Sequence, residues 1–547
     1  MHGGRLVARM LSALDAPVFT LCGDHITAIL DGCADEAIRI IDARDERGAG
    51  FMAQGWSLAT GAPGLVVVTG GPGLAAAMGP ITDASMAGVP MLVVTSRIRA
   101  SEEGRGFPQD IDSSRIAGGI ATVMTVRSAD QIASSIAAAY AEARARRRPV
   151  VLEISLDAQL ARAPDDVPPD DVPISVSPGA TPVDAAAVAQ AAELLSSARR
   201  PVAILGDGCF WSHAQAAASA VIQATGMPVF TTRAARGLVP DNHPFCLSQP
   251  NFLHEGVRAI LDAADLLVVA GADMDITLAF GGLAPQAQLI RIDSRPERLS
   301  QNRVPDVAVA GNEAQAFEDI ARSRALLGPP LEGWVEEARI LRDRATATIA
   351  ATAPIHPAAL VDALAAAAPG PATFTIDAGA LALWGLGGLP ARGPGRLLTS
   401  FGTKSSTIGG GLPFAIAAKL ARPDEPAIAL VGDGALGYQA LELDTAARHG
   451  IDVVAVVGND ASWGIVRQQM ETAFGSSVAA ELSPRRYDDL ARALGAHGER
   501  VEHARDLAST LARALGRKGP VLVDVVIDRT VRHEAMEFVA RLFAPDA

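Results

Sequence analysis

Asp433 stands between two glycines at the end of an apolar run, AIALVGDG (427–434), and a helical pattern follows it. A strand that ends in Gly-Asp-Gly and opens into a helix brings three useful groups together. The glycines let backbone N–H groups approach an anion, and the helix N-terminus favours negative charge. The carboxylate can hold a hard divalent cation that neutralises a diphosphate. Magnesium takes oxygen ligands in an octahedron and few of them from protein, so a second oxygen donor should lie nearby. Asp460 closes the next apolar run, DVVAVVGND (452–460). Adjacent parallel strands would bring both carboxylates to one sheet edge, where α/β proteins bind ligands. Gly206-Asp207-Gly208 repeats the tripeptide, but no acidic or amide residue closes the run that follows it. On spacing alone, either copy reads equally well as a tight strand-to-helix turn.

The elements that must position these residues are legible as short β-branched runs alternating with amphipathic helical stretches, the pattern of parallel sheets. The first third holds LVVVTG (65–70), PMLVVTS (90–96) and PVVLEIS (149–155). The middle third holds PVAILGDG (201–208), DLLVVAGA (265–272) and LIRIDS (289–294). The last third holds ATFTIDAG (372–379), the two runs ending at Asp433 and Asp460, and PVLVDVVID (520–528). A Pro- and Asp-rich stretch (161–182) reads as an exposed linker. Three doubly wound α/β domains are expected, at 1–162, 182–328 and 350–547. The outer two echo each other: Gly71-Pro72-Gly73 and Gly432-Asp433-Gly434 each follow a buried strand and precede a helix and a further strand. That spacing suggests a repeated unit flanking a different middle domain.

Composition sets the class. At 547 residues the chain is too long for one core, and 49% apolar with 20% charged residues suits packed α/β domains. A formal charge of −14 disfavours nucleic acid, which needs a basic stripe. The basic group Arg144, Arg146, Arg147 and Arg148 closes a helical pattern, where the helix dipole favours cations. No apolar run reaches membrane-spanning length. Cys22, Cys33, Cys209 and Cys246 have neither metal-site nor disulfide-framework spacing. A cytoplasmic protein acting on a small molecule is expected.

The segment 432–469, GDGALGYQALELDTAARHGIDVVAVVGNDASWGIVRQQ, resembles the thiamine-diphosphate motif of the acetolactate synthase superfamily. Within that superfamily it is most like benzaldehyde lyase and the 2-hydroxyacyl-CoA lyases. Further segments agree in order: RDERGAGFMAQGWSLATG (44–61), TGGPG (69–73), FPQDID (107–112), TTRAARGLVPDNHP (231–244), GADMDITLAFGG (271–282) and SSTIGGGLPFAIAAK (405–419). The resemblance implies thiamine diphosphate and Mg2+ as cofactors. It makes Asp433, Asp460 and the Ser462 backbone carbonyl the metal ligands, and sets the cofactor against Gly432, Gly434, Ala435, Trp463, Gly464 and Ile465. Ile408 matches the large apolar residue that wedges beneath the thiazolium, and Ser406 would offer its carbonyl to the cofactor's amino group. Glu46 matches the glutamate that hydrogen-bonds the aminopyrimidine ring. Alone, within Arg44-Asp45-Glu46-Arg47, it would read as one of a solvated charge cluster. In an apolar site, a raised pKa keeps its proton available.

His25, in LCGDHITAIL (21–30), aligns with a histidine beside the substrate, and an imidazole can shuttle protons to a substrate hydroxyl at neutral pH. Gln109 aligns with an active-site glutamine. The catalytic set implied is Glu46, His25 and Gln109. The adjacent histidine pair of pyruvate decarboxylases is absent. Ala75 and Ala76 stand where an asparagine is usual, Ala380 and Leu381 replace a Gln-His pair, Thr122 replaces a lysine, and Asp45 replaces a histidine. These departures argue against a standard branched-chain acetolactate synthase and leave a lyase or carboligase with an acyloin-type or 2-hydroxyacyl-CoA-type substrate. Acetolactate-synthase-like or 2-oxo acid decarboxylase activity is the alternative, and a catalytically silent cofactor-binding regulator is the non-enzymatic one. Arg233 and Arg236 fall where related CoA enzymes approach the nucleotide. In the family one active site draws on two subunits, so a homodimer or homotetramer is implied. The C-terminal segment 529–547 is either a lid or a packed helix.

Overall fold

The computed structural model describes residues 1–163, 182–323, 331, 333–343 and 354–543. Most of the expected linker (164–181) lies outside the described residues, as do the expected domain limits at 328, 350 and 547.

Three parallel sheets form. The first contains β1 (Val18–Thr20), β2 (Ile40–Asp42), β3 (Gly64–Val67), β4 (Met91–Arg97), β5 (Thr122–Val126) and β6 (Pro149–Ser155), in the order β2-β1-β3-β4-β6-β5. The second contains β7 (Pro201–Leu205), β8 (Val229–Thr231), β9 (Leu266–Ala270), β10 (Gln288–Asp293) and β11 (Val307–Ala310), in the order β11-β10-β9-β7-β8. The third contains β12 (Thr373–Ile376), β13 (Leu397–Thr399), β14 (Ala427–Gly432), β15 (Val453–Asn459), β16 (His497–Val501) and β17 (Val521–Val526), in the order β13-β12-β14-β15-β17-β16. Counted within each sheet, the first and third share the order 2-1-3-4-6-5. The echo read from two glycine turns is thus a topological duplication. All the runs quoted above form central strands; helices cover both faces, so these strands are buried except at a few of their ends.

The outer domains of one chain share a core. The Glu46–Thr60 helix packs on the Gly411–Ala421 helix, with Phe51 and Phe414 edge to face at 5.9 Å. Gly55 permits the contact, because a Cβ there would lie 2.8 Å from the Phe414 Cα. The middle domain has separate cores around Ile290 and Val269. The arginines after the Ile132–Arg146 helix do more than complement its dipole. Arg147 takes a left-handed conformation and reaches the middle domain, where its Nη2 donates to Ser294 Oγ at 3.0 Å and lies 3.4 Å from Glu313. All four cysteines are free. No helix among the described residues is long and apolar enough to cross a membrane.

Candidate active site

A cleft of about 300 Å³ opens at the C-terminal edge of the third sheet. Ser406, Ile408, Gly432, Asp433, Gly434, Ala435, Asp460, Ser462, Trp463, Gly464 and Ile465 all line it. Registered pairing of β14 with β15 sets Gly432 beside Gly458, which places Asp433 and Asp460 just past neighbouring strand ends. Asp433 is 3% exposed and its Oδ2 is buried with no protein partner. Asp460 turns back on its own loop, accepting the Ser462 N–H at 3.1 Å and the Ser462 hydroxyl at 2.9 Å. Ala461 between them is left-handed, with φ 51°. Burial raises the pKa of both aspartates, and the charge of Asp460 raises that of Asp433 further.

Two buried carboxylates side by side, one with an orphaned oxygen, fit a hard divalent cation. Among the described residues no cluster of three or more His, Cys, Asp or Glu gathers, so a metal here would complete its shell from backbone, ligand or water oxygen. Two helices, Asp433–Gln439 and Gly464–Phe474, start at this cleft and offer free N–H groups to an anion. Gly434 packs under the Trp463 ring, where a Cβ would lie 2.7 Å from Cε3. Leu381, Trp384, Phe401 and Val531 add apolar surface to the walls of the cleft.

The same tripeptide in the middle domain has a different fate. Asp207 accepts the Ala234 N–H at 2.9 Å and faces Arg233 at 3.9 Å, so a cation of the protein already answers it. Arg233 also pairs with Asp275, and Arg236 is buried in a two-pronged pair with Asp241 at 2.9 and 2.7 Å. Both arginines are committed within the middle domain.

Glu46, His25 and Gln109 lie elsewhere, at the corresponding edge of the first sheet. Glu46 opens the Glu46–Thr60 helix behind its N-cap Asp45, whose carboxylate accepts the Arg47 N–H at 2.8 Å and pairs with the Arg47 side chain. Burial raises the pKa of Glu46, and the Asp45 charge adds to the shift. A Cβ at Gly73 would lie 3.3 Å from Glu46 Oε1 and 2.8 Å from Thr69 Cγ2. The Thr69 hydroxyl donates to Gln109 Oε1 at 3.1 Å. His25 is 8% exposed, stacks on Phe107 at 6.3 Å, and has a buried Nδ1 without a partner. The three residues therefore share one edge, joined through Thr69 and the Gly71-Pro72-Gly73 turn, and none of them lines the cleft that holds Asp433. Trp384, Phe401 and Val531 were not singled out from the sequence. Their apolar character gave no signal distinguishing cleft wall from core.

The C-terminal Ala535–Arg541 helix packs on the Gly464–Phe474 helix, and Phe538 meets Phe252 edge to face at 5.6 Å. Asp528 and Val531, just before that helix, line the cleft.

Sequence models of thiamine pyrophosphate enzymes match the chain in three parts: the N-terminal thiamine-pyrophosphate-binding domain over 1–116, the central domain over 188–320, and the C-terminal thiamine-pyrophosphate-binding domain over 377–525. A probable acetolactate synthase of Mycobacterium bovis is 34% identical, covering 97% of each chain. Human 2-hydroxyacyl-CoA lyase 2 is 30% identical over 97% of this chain and 90% of its own. A probable 2-ketoarginine decarboxylase of Pseudomonas aeruginosa is 31% identical over 96% and 94%. With three thiamine-enzyme domains in order and full-length relatives, the chain is an enzyme of the thiamine-diphosphate-dependent acetolactate synthase superfamily, whose cofactors are thiamine diphosphate and Mg2+.

Proposed function

We propose that the chain is a carbon–carbon lyase or carboligase acting on a 2-hydroxy carbonyl substrate of the acyloin or 2-hydroxyacyl-CoA type. The observation that carries this reading is the character of the cleft: among its described lining residues none is cationic, and Leu381, Trp384, Phe401 and Val531 give it an apolar wall. A neutral acyl group is at home against such a wall. Bound thiamine diphosphate supplies a thiazolium that stabilises a carbanion next to a former carbonyl.

This chain's residues do the remaining work. Asp433 and Asp460, with the Ser462 carbonyl, hold the metal, and the two helix starts hold the diphosphate. Ile408 would support the cofactor's ring system, and the Ser406 carbonyl would accept from its amino group. Glu46, whose pKa burial raises, would share its carboxyl proton with a ring nitrogen of the cofactor. His25 moves a proton at the substrate hydroxyl and Gln109 orients that group. Because Glu46, His25 and Gln109 do not line the cleft of their own chain, the complete site pairs the cleft of one chain with the first-sheet edge of another, in a homodimer or a tetramer of such dimers.

The names of two of these relatives, the probable acetolactate synthase and the probable 2-ketoarginine decarboxylase, favour a second reading, acetolactate-synthase-like or 2-oxo acid decarboxylase chemistry, whereas the human 2-hydroxyacyl-CoA lyase 2 favours the first. Incubating the holoenzyme with pyruvate, benzoin and a 2-hydroxyacyl-CoA, with product identification by mass spectrometry, separates the two. Cleavage of benzoin or of the acyl-CoA to an aldehyde supports the lyase. Consumption of pyruvate alone, with release of carbon dioxide, supports the second reading.

A further inference from the structure

The loop 400–410 runs from β13 to the Gly411–Ala421 helix and carries both Ser406 and Ile408. Its conformation is unusual. Ser406 is left-handed, with φ 49°, a region that strains a residue with a Cβ unless its surroundings hold it there. One carboxylate from each domain grips this loop. From the third domain, Asp377 accepts the N–H groups of Gly409 and Gly411 at 2.8 Å each. From the middle domain, Asp273 pairs with Lys404 at 3.1 Å. From the first domain, Asp83, fully buried on the Met78–Ala87 helix, accepts the Thr403 hydroxyl at 3.0 Å.

The Thr403 hydroxyl is a relay. Its oxygen accepts the Ser406 N–H at 2.8 Å, so the direction of its proton decides whether a lone pair faces Ser406. That proton has two acceptors within reach, Asp83 Oδ1 and the Ser400 carbonyl at 2.9 Å, and a carboxylate makes the stronger bond. Asp83 is itself fixed by Gln54, 1% exposed on the Glu46–Thr60 helix, whose Nε2 donates to Oδ2 at 2.7 Å. We propose that Asp83, acting through the Thr403 hydroxyl, is a positioning residue that holds Ser406 in its left-handed conformation and so presents the Ser406 carbonyl and Ile408 to the cofactor. This rests on the roles proposed above for Ser406 and Ile408. Its consequence is that the helix opened by Glu46, which serves a partner's cleft, also braces through Gln54 and Asp83 the cofactor loop of its own chain.

Thr403→Val and Thr403→Ser, with Asp83→Asn and Ile408→Ala beside them, test the relay. Thr403→Val keeps the shape and removes the hydroxyl; Thr403→Ser keeps the hydroxyl. The readouts are thiamine diphosphate affinity in the presence of Mg2+, from quenching of tryptophan fluorescence, the rate of thiazolium proton exchange in deuterated water at saturating cofactor, and the melting temperature of the cofactor-free protein. Thr403→Val should weaken binding and slow exchange by about tenfold each, as the loss of one oriented, charge-assisted hydrogen bond requires. Thr403→Ser should restore both, and neither variant should shift melting of the cofactor-free protein. Asp83→Asn should act in the same direction as Thr403→Val. Wild-type affinity and exchange in Thr403→Val, while Ile408→Ala loses both, would overturn the relay and leave the cofactor loop in place. Wild-type behaviour in Ile408→Ala would overturn the loop's role and the relay with it.

Discussion

Asp207 and Asp433 occupy the same tripeptide at the same kind of strand end, and their neighbours separate them. Arg233, 3.9 Å away, completes Asp207, whereas Asp433 keeps an orphaned oxygen beside a second carboxylate. The sequence favoured Asp433 through Asp460 closing the next strand and through the resemblance of 432–469, and no local pattern announced that Arg233 would neutralise the other copy. Removing Asp460 should therefore cost ligand binding more than fold. Asp460→Ala should weaken Mg2+ and thiamine diphosphate binding by on the order of a hundredfold, read by titration calorimetry, with an unchanged circular dichroism spectrum. Glu46 is the contrasting case, a residue whose charged neighbours suggested solvent and whose environment raises its pKa instead. Glu46→Gln should lower turnover by roughly a thousandfold while melting stays within a few degrees, because a general acid is lost and no packing is. Unchanged turnover in that variant would refute the assigned role.

Long apolar strands were readable, and short or polar ones were not. Val18–Thr20, Ile40–Asp42, Val229–Thr231 and Leu397–Thr399 are three residues each, too short for a period to declare itself. Edge strand β16, His-Gly-Glu-Arg-Val, is polar because only part of it is covered. Helix starts were legible where glycine marked them, and that allows a test. Gly434→Ala would drive a methyl into the Trp463 ring, tilting it into the cleft, and should reduce cofactor affinity by about tenfold in the same titration. The helix contact between the outer domains carries a buried acid that sequence gave no reason to notice. Glu442 is fully buried and accepts the Arg44 N–H at 3.2 Å and the Thr445 hydroxyl at 2.7 Å. Burial pushes its pKa from 4.5 up to about 7, with Asp45 adding to the shift, while the Thr445 and Arg44 bonds and the Arg448 charge oppose it. The folded value lies above the unfolded one, so the stability linked to its proton is full below pH 4.5 and is lost as pH rises to 7. Melting temperature should fall across that window, and Glu442→Gln should flatten the fall, which is worth on the order of 3 kcal/mol.

At the scale of the molecule, two sheets of one topology flank a third, and each outer sheet contributes half of a chemistry. The third-sheet edge carries carboxylates, helix starts and an apolar wall; the first-sheet edge carries Glu46, His25 and Gln109. Within one chain the outer domains are locked by Phe51 and Phe414 and by the shared core around them, yet that packing leaves Glu46 outside the cleft. The duplication was faintly legible in the two glycine turns, but which edges face each other depends on how chains associate, and no residue pattern encodes that directly. We propose that one active site joins the two edges from different chains. Co-expressing Glu46→Gln and Asp460→Ala chains, each inactive alone, tests it. Random pairing makes half the dimers mixed, each with one site that has both an intact cleft and an intact Glu46, so roughly a quarter of wild-type turnover should return. Purified mixed dimers that bind thiamine diphosphate and remain inactive would contradict it.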